Sequence, residues 1–330
     1  MVSARAEDAQ AKYTLRVLME KAREYHRPLH ICFVDLRKAY DSVDRHTLWL
    51  VLQHCYYLPL KLLTIIKALQ DHTSATVRSY GEISDPFSVS VGVEQVRVLA
   101  PTLFNLFFDA MIWLAIADNH SGVRLSYLLD ADLVGNRKKL TSDVSVSDLE
   151  YADDMALISD SFDVLTTLLE SLDSTCCLMG LSINYKKTTL LSVLLKNSSQ
   201  SPSPILLHLD CESIAVIPSF QYLGSIVSSD CTSDTDLLMH HQGISVVWGT
   251  QPHTLAPEEI RRDTKLSIFN SVVLSTLLYG LETAVLLESQ INCLQSLVMC
   301  CLHSTLGVSL WDGQRETPPS GRPHTSRESP

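Results

Sequence analysis

LEYADDMALIS, residues 149–159, sets two short apolar runs on either side of Ala152-Asp153-Asp154. Strand-like segments flanking a small acidic turn read as a tight β-hairpin with carboxylates at its tip. Taken alone, acidic turn residues are most often simple turn formers, because Asp side chains bond their own backbone. Upstream, HICFVD at 30–35 is a continuous apolar run ending on a carboxylate, the pattern of a buried central strand that delivers Asp35 at its C-terminal end. An isolated strand-end Asp would be merely solvated. Together the two segments predict neighbouring strand elements that offer Asp35, Asp153 and Asp154 at one sheet edge. Like charges held close cost free energy, so their convergence calls for a cation. Mg2+ takes oxygen ligands, one or two carboxylates plus phosphates and water, and two such ions stabilise both oxygens of an in-line phosphoryl displacement.

Outward from these segments the periodicities alternate. Glu7–Tyr25 is rich in helix formers with Leu15, Leu18 and Ala22 at helical spacing, so a helix precedes the first strand. Arg45–Gln70 predicts two helices separated at Pro59. Thr76–Tyr80 and Phe87–Val91 read as a strand pair joined by a loop. Pro101 opens an amphipathic helix with Leu103, Phe107, Ala110, Met111 and Leu114 on one face. Behind the hairpin, Asp163–Met179 predicts a helix stopped by Gly180, and Leu181–Leu195 and Phe220–Val227 predict further strands. Residues 232–308 read as helical with breaks near Gly243, Gly249 and Pro257, whereas the Pro-, Ser- and Gly-rich stretch 313–330 predicts disorder.

A chain of 330 residues, 46% of them apolar, can bury a substantial core, which excludes global disorder. The formal charge of −11 has the wrong sign for strong binding to a phosphate backbone. It is unevenly placed: residues 1–80 hold twelve Lys/Arg against eight Asp/Glu, so any basic surface belongs to the N-terminal part. The nine cysteines include no CxxC pair and no His at zinc-finger offsets, which argues against a zinc site. No signal peptide, transit peptide or bilayer-spanning run is evident, and the expectation is an intracellular protein of the nucleus or cytoplasm, with no membrane partner.

Six ordered segments carry a resemblance: FVDLRKAYDSVDR (33–45), GVEQVRVLAPTLFNLFFDAMI (92–112), LEYADDMALI (149–158), GLSINYKKT (180–188), FQYLGS (220–225) and STLLYGLET (275–283). In this order they resemble the palm and thumb portion of LINE-type (non-LTR) retrotransposon reverse transcriptases, apparently truncated. The resemblance implies an α+β fold: a right-hand polymerase palm of three or four antiparallel strands backed by helices, then a helical thumb. It implies residues 1–27 as a residual fingers helix, 28–230 as palm, 231–312 as helical thumb or connection, and 313–330 as tail. The implied activity is RNA-directed DNA polymerisation by two-metal nucleotidyl transfer, with two Mg2+ ions as cofactor and an RNA template, a DNA primer and deoxynucleotides as partners.

Residue by residue, Asp35, Asp153 and Asp154 match the family's catalytic metal-binding aspartates. Tyr40 matches the aromatic beneath the incoming sugar, Gln95 the glutamine that contacts the nucleotide, and Lys187 the lysine that protonates departing pyrophosphate. Tyr222, Leu223 and Gly224 match the turn that grips the primer terminus. Without the motifs, Tyr40 reads equally as a core tyrosine and Lys187 as a solvated charge.

The sequence also departs from the pattern. Val96 stands where the family has Gly after the nucleotide-contacting Gln, and Glu94 where it has a basic residue. A β-branched side chain resists the backbone approach that Gly permits, and a carboxylate there repels a triphosphate. Only a short segment precedes Asp35 where the family carries its fingers, and 313–330 leaves the pattern abruptly. Two readings stay open: a polymerase domain, and a non-catalytic remnant that at most binds a protein or RNA partner.

Overall fold

The computed structural model describes residues 2–71, 73–93, 98–116, 122–129, 140–193, 205–206, 213–250 and 260–306. The chain divides into two compact units, Met1–Thr232 and Ser233–Pro330.

The first unit is built on a six-stranded sheet. Its elements are α1 (Val2–Glu24), β1 (Leu29–Val34), α2 (Ala39–Ser42), α3 (Arg45–His54), α4 (Leu60–Gln70), the short strands β2 (Ser74–Ala75), β3 (Arg78–Ser79), β4 (Glu82–Ile83) and β5 (Phe87–Ser88), and α5 (Ala100–Ile116). There follow β6 (Val123–Leu129), β7 (Leu140–Val146), β8 (Asp148–Tyr151), β9 (Asp154–Ser159), α6 (Phe162–Leu178), β10 (Thr189–Val193), β11 (Ile205–Leu206), β12 (Ser213–Val216), β13 (Ser219–Tyr222) and β14 (Ser225–Ser228). The sheet order is β11-β12-β10-β1-β9-β8, antiparallel throughout except for the β10–β12 pair. The α+β class and the sheet backed by helices agree with expectation, although the sheet carries more strands than the resemblance implies.

Both faces of the sheet are covered, which is why β1 reads as an unbroken apolar run. Cys32 and Val34 of β1, with Met155 and Leu157 of β9, enter one core with α3, α5 and α6, where Leu48, Phe104, Phe107, Leu168 and Leu172 lie. Leu29, Ile31 and Phe33, with Ala156 and Ile158, face a second core formed with Leu15, Leu18 and Met19 of α1 and with Tyr222 and Val227 of the β13–β14 hairpin. Side chains alternate across a strand, so each strand contributes to both.

Local signals fix several boundaries. Asp44 caps α3, its carboxylate accepting from the Thr47 N–H at 2.8 Å and the Thr47 hydroxyl at 2.7 Å. Gly180, at φ 82°, ends α6 while the Leu181 N–H reaches back to the Cys176 carbonyl at 2.8 Å, a Schellman closure.

Three strand expectations are corrected. Thr76–Tyr80 does not pair with Phe87–Val91; instead β2 pairs β5 and β3 pairs β4, two nested ribbons. Leu181–Leu195 is not one strand: Ile183 makes an isolated bridge with Leu36, a turn follows, and β10 starts only at Thr189. Phe220–Val227 is a hairpin, not a strand, folded at Leu223-Gly224. The β6–β7 hairpin, in register from Val123↔Val146 to Leu129↔Leu140, has no counterpart in the sequence reading.

The second unit is helical. It comprises α7 (Asp234–Thr250), a continuous helical segment made of α8 (Arg262–Ile268), a π-helical turn at Phe269–Leu274 and α9 (Ser275–Leu278), then a 3-10 turn at Leu281–Thr283 and α10 (Glu288–Leu306). Ile244, Phe269, Val273, Leu277, Leu281 and Cys301 form its core. Helix α7 runs through Gly243 and Gly249, where breaks were expected, because a lone glycine costs a helix only about 1 kcal/mol. Pro257 and the 313–330 tail lie outside the described residues.

Candidate active site

Register builds an acidic edge. β1 pairs with β9 so that Phe33 faces Ala156 and Val34 faces Met155, and Asp35 and Asp154 are the residues that adjoin this last pair. Tyr151↔Asp154 closes the β8–β9 hairpin, and the turn passes Ala152 through a positive φ of 55°. Asp35 is half-buried, and Asp153 and Asp154 are exposed. Although Asp154 is exposed as a residue, its carboxyl is partly desolvated and is pushed above its usual range, first by burial, then by Asp153 and by Asp35.

Tyr40 borders this edge. Its ring stacks on Phe104 with centroids 4.0 Å apart and an interplanar angle of 19°. Burial and then the Asp153 charge push its phenol up, so ring and hairpin tip lie within electrostatic reach. The Tyr40 carbonyl accepts from the Val93 N–H at 2.9 Å, and the Gly92 N–H donates to the Val43 carbonyl at 2.9 Å. The loop after α5's upstream neighbour is thus docked beside Tyr40 up to Val93. Gln95, with Glu94 and Val96, lies outside the described residues.

Lys187 sits exposed in the turn between Ile183 and β10, its N–H donating to the Asn184 carbonyl at 3.0 Å. Tyr222, Leu223 and Gly224 form the tip of the β13–β14 hairpin, where φ values of 48° at Leu223 and 81° at Gly224 mark a type I′ turn. Tyr222 is 2% exposed. Phe33 stacks on Phe220 at 4.2 Å and meets Tyr222 at 5.4 Å, which fastens this hairpin to β1 two residues before Asp35.

Three participants escaped the sequence reading. Asn184 donates from Nδ2 to Oδ2 of Asp35 at 2.9 Å, and its N–H donates to the Asp35 carbonyl at 2.8 Å. The Thr188 hydroxyl accepts from the Asp35 N–H at 3.2 Å. Lys12 of α1, buried at 2% exposure, donates from Nζ to the Leu223 carbonyl at 3.3 Å, under the hairpin tip. Its one signal in the sequence was a lysine adjoining the apolar face of a helix.

Among the described residues no three His, Cys, Asp or Glu side chains stand close enough to form a ready-made metal cage. The donors at the edge are nevertheless hard oxygens, and the Asp154 carboxyl is raised by burial first and then by its two acidic neighbours, whose repulsion a divalent cation relieves. Mg2+ keeps several waters and is commonly held by one or two carboxylates plus substrate phosphates, so the set present fits it.

Residues 4–227 match the family described as reverse transcriptase (RNA-dependent DNA polymerase). The chain belongs to the reverse transcriptase family. The match spans Asp35, Tyr40, Gln95, Asp153, Asp154, Lys187 and the Tyr222–Gly224 turn. A curated relative of this chain is the retrovirus-related Pol polyprotein from the type-1 retrotransposable element R2 of Popillia japonica, 25% identical over 297 residues. That alignment takes in 88% of this chain but 38% of the relative, so the chain spans well under half of the R2 polyprotein. Similar solved structures include apo telomerase from Candida tropicalis, with TM-score 0.44, 11% identity, and coverage of 90% of this chain and 49% of that one. Telomerase from Candida albicans in complex with a TWJ fragment of telomeric RNA gives TM-score 0.43, 11% identity, and coverage of 92% and 48%. No helix among the described residues of this chain is long and apolar enough to cross a membrane.

Proposed function

We propose that this chain is the palm and thumb of a non-LTR retrotransposon reverse transcriptase, extending a DNA primer on an RNA template by Mg2+-dependent nucleotidyl transfer. The observation that carries the reading is the β1–β9 pairing, which ends at Val34↔Met155 and so brings Asp35 and Asp154, the residues that adjoin that pair, within electrostatic reach of one another. Asp35, Asp153 and Asp154 would hold the ions. Such ions, when bound, would supply Lewis-acid stabilisation of the oxygens of the displacement.

The surrounding side chains supply position and protons. The primer 3′-hydroxyl gives up its proton to water as its oxygen bonds to the α-phosphorus, and the bond to pyrophosphate breaks, with Lys187 as proton donor to the leaving group. Tyr40, held flat against Phe104, forms a wall beneath the incoming sugar, and a 2′-hydroxyl would collide with it. Gln95 contacts the nucleotide. The Tyr222-Leu223-Gly224 turn, fixed from beneath by Phe33, steadies the primer end.

A second reading, a non-catalytic remnant that binds protein or RNA, is favoured by Glu94 and Val96 on either side of Gln95 and by the charge of −11. Primer extension on an RNA template, with Asp153→Asn as control, separates the two. Mg2+-dependent incorporation that the control lacks supports the polymerase; incorporation no greater than the control's sinks it.

A further inference from the structure

We propose that Asn184 is the positioning residue for Asp35, and that the buried Tyr185–Asp173 pair locks Asn184 in place. The inference rests on the polymerase reading and adds to it the device that orients one of its carboxylates.

Asp35 is the first residue beyond β1, where a side chain is ordinarily free to rotate. Here the 184–188 turn grips it at three points. Asn184 N–H donates to its carbonyl at 2.8 Å, Asn184 Nδ2 donates to its Oδ2 at 2.9 Å, and its own N–H donates to the Thr188 hydroxyl at 3.2 Å. Two backbone contacts fix the main chain of Asp35, and the side-chain contact fixes its carboxylate plane. An ionised carboxylate only accepts, so the amide must offer it its NH2. Oδ1 is left outside this grip for another ligand.

The turn itself is rigid for identifiable reasons. The Asn184 carbonyl accepts from both the Lys187 and the Thr188 N–H, at 3.0 and 2.9 Å. Before it, the Leu36↔Ile183 bridge and the Arg37 N–H to Ser182 carbonyl bond at 2.9 Å tie the same turn to the strand that carries Asp35. After it, Tyr185 is only 6% exposed and its hydroxyl donates to Asp173, 3% exposed, at 2.5 Å. Asp173 belongs to α6, which packs on the sheet. A buried carboxylate accepting from a phenol is costly to break, so Tyr185 holds the turn against the core and Asn184 transmits that fixity to Asp35. The partners that orient a metal's ligand typically contribute 10–100-fold to its metal affinity.

The test is Mn2+ binding to the full chain, read by loss of the free-ion electron paramagnetic resonance signal, with circular dichroism to check folding. Wild type and Asp35→Asn set the range. Asn184→Leu, close in volume but without a donor, is expected to weaken Mn2+ binding by about tenfold. Tyr185→Phe, which removes the hydroxyl that donates to Asp173, is expected to weaken it by a lesser factor with the fold retained, and decides the matter if Asn184→Leu does not fold. Wild-type Mn2+ affinity in a folded Asn184→Leu, or in Tyr185→Phe should that be the variant that folds, overturns the proposal and leaves the polymerase reading standing. Wild-type binding that Asp35→Asn fails to weaken overturns both.

Discussion

Replacing Gly92 with Ala should unseat the loop that docks beside Tyr40. Gly92 has φ +85°, a region that L side chains rarely adopt. A Cβ there would stand 2.8 Å from the Asp41 carbonyl oxygen, 2.9 Å from its Cα and 3.0 Å from its carbonyl carbon, all backbone atoms that cannot rotate aside. The loop has little room to retreat, because the Gly92 N–H is bonded to Val43 and its carbonyl accepts from Arg45 Nε at 2.9 Å. Left-handed strain costs about 1–2 kcal/mol and overpacking about 1–3 kcal/mol, so the expected loss is about 2–5 kcal/mol. Urea unfolding followed by tryptophan fluorescence measures it, since Trp49 and Trp113 lie in the first unit. With a slope near 3 kcal/mol per molar, the midpoint should fall by roughly 1 M. Gly81→Ala provides the comparison: φ is +92° but nothing lies within 4 Å, so only the conformational cost applies, about 1 kcal/mol. Equal losses for the two variants, or a Gly92→Ala midpoint matching wild type, would refute the claim that a backbone collision makes Gly92 obligatory.

Asp154→Asn should raise stability at pH 7 while removing Mg2+-dependent primer extension. The folded carboxyl titrates above its unfolded value of 3.8, so ionisation destabilises the fold as pH rises past that value, and the amide escapes the cost. A lower melting temperature than wild type at pH 7 would contradict this. Glu150→Gln should show a related profile: burial first, then Asp148 and Asp109, push the Glu150 carboxyl up to about 8 from 4.5. The gain over wild type should be absent below pH 4.5, grow between 4.5 and 8, and level off above, reaching about 2 kcal/mol after discounting for solvent screening. A difference that does not vary with pH in thermal melts would rule out the carboxyl as its source. Gly243→Ala, in a helix with open space around the glycine, should stabilise α7 by about 1 kcal/mol, and calorimetry showing no upward shift would count against it.

What could be read from the sequence was whatever has a short-range signature. HICFVD and LEYADDMALIS declare a central strand and an acidic hairpin through apolar runs and turn residues, and the pairing of Val34 with Met155 brings their ends together. The Gly180 stop was legible because a helix terminus needs a left-handed residue. By contrast, Leu181 and Ile183 look like strand residues, yet the Asn184 carbonyl captures two following N–H groups and turns the chain before β10. Leu223 hides the β13–β14 turn because a leucine at φ 48° is an unusual choice for a type I′ position. Asn184 itself could not be chosen over any other loop asparagine, since its partner Asp35 lies 149 positions earlier and only the folded sheet supplies it.

The position of β1 has a consequence for how the protein is made. Ile31 lies between Ile158 and Leu191, so this strand, once it has left the ribosome, waits for neighbours encoded more than a hundred codons later. At translation speeds of about 5–20 residues per second, the 127 positions between Ile31 and Ile158 correspond to a delay of roughly 6 to 25 seconds. Throughout that interval LHICFV is an apolar, uncharged segment of high β propensity with open edges, the kind that associates with other nascent chains. Helix α1 emerges beforehand and can sequester the Ile31 face through Leu15 and Leu18, but the core on the Cys32 face is complete only once α5 and α6 have followed. Recovery of soluble protein should therefore depend on chaperone supply during synthesis more than on the stability of the finished fold.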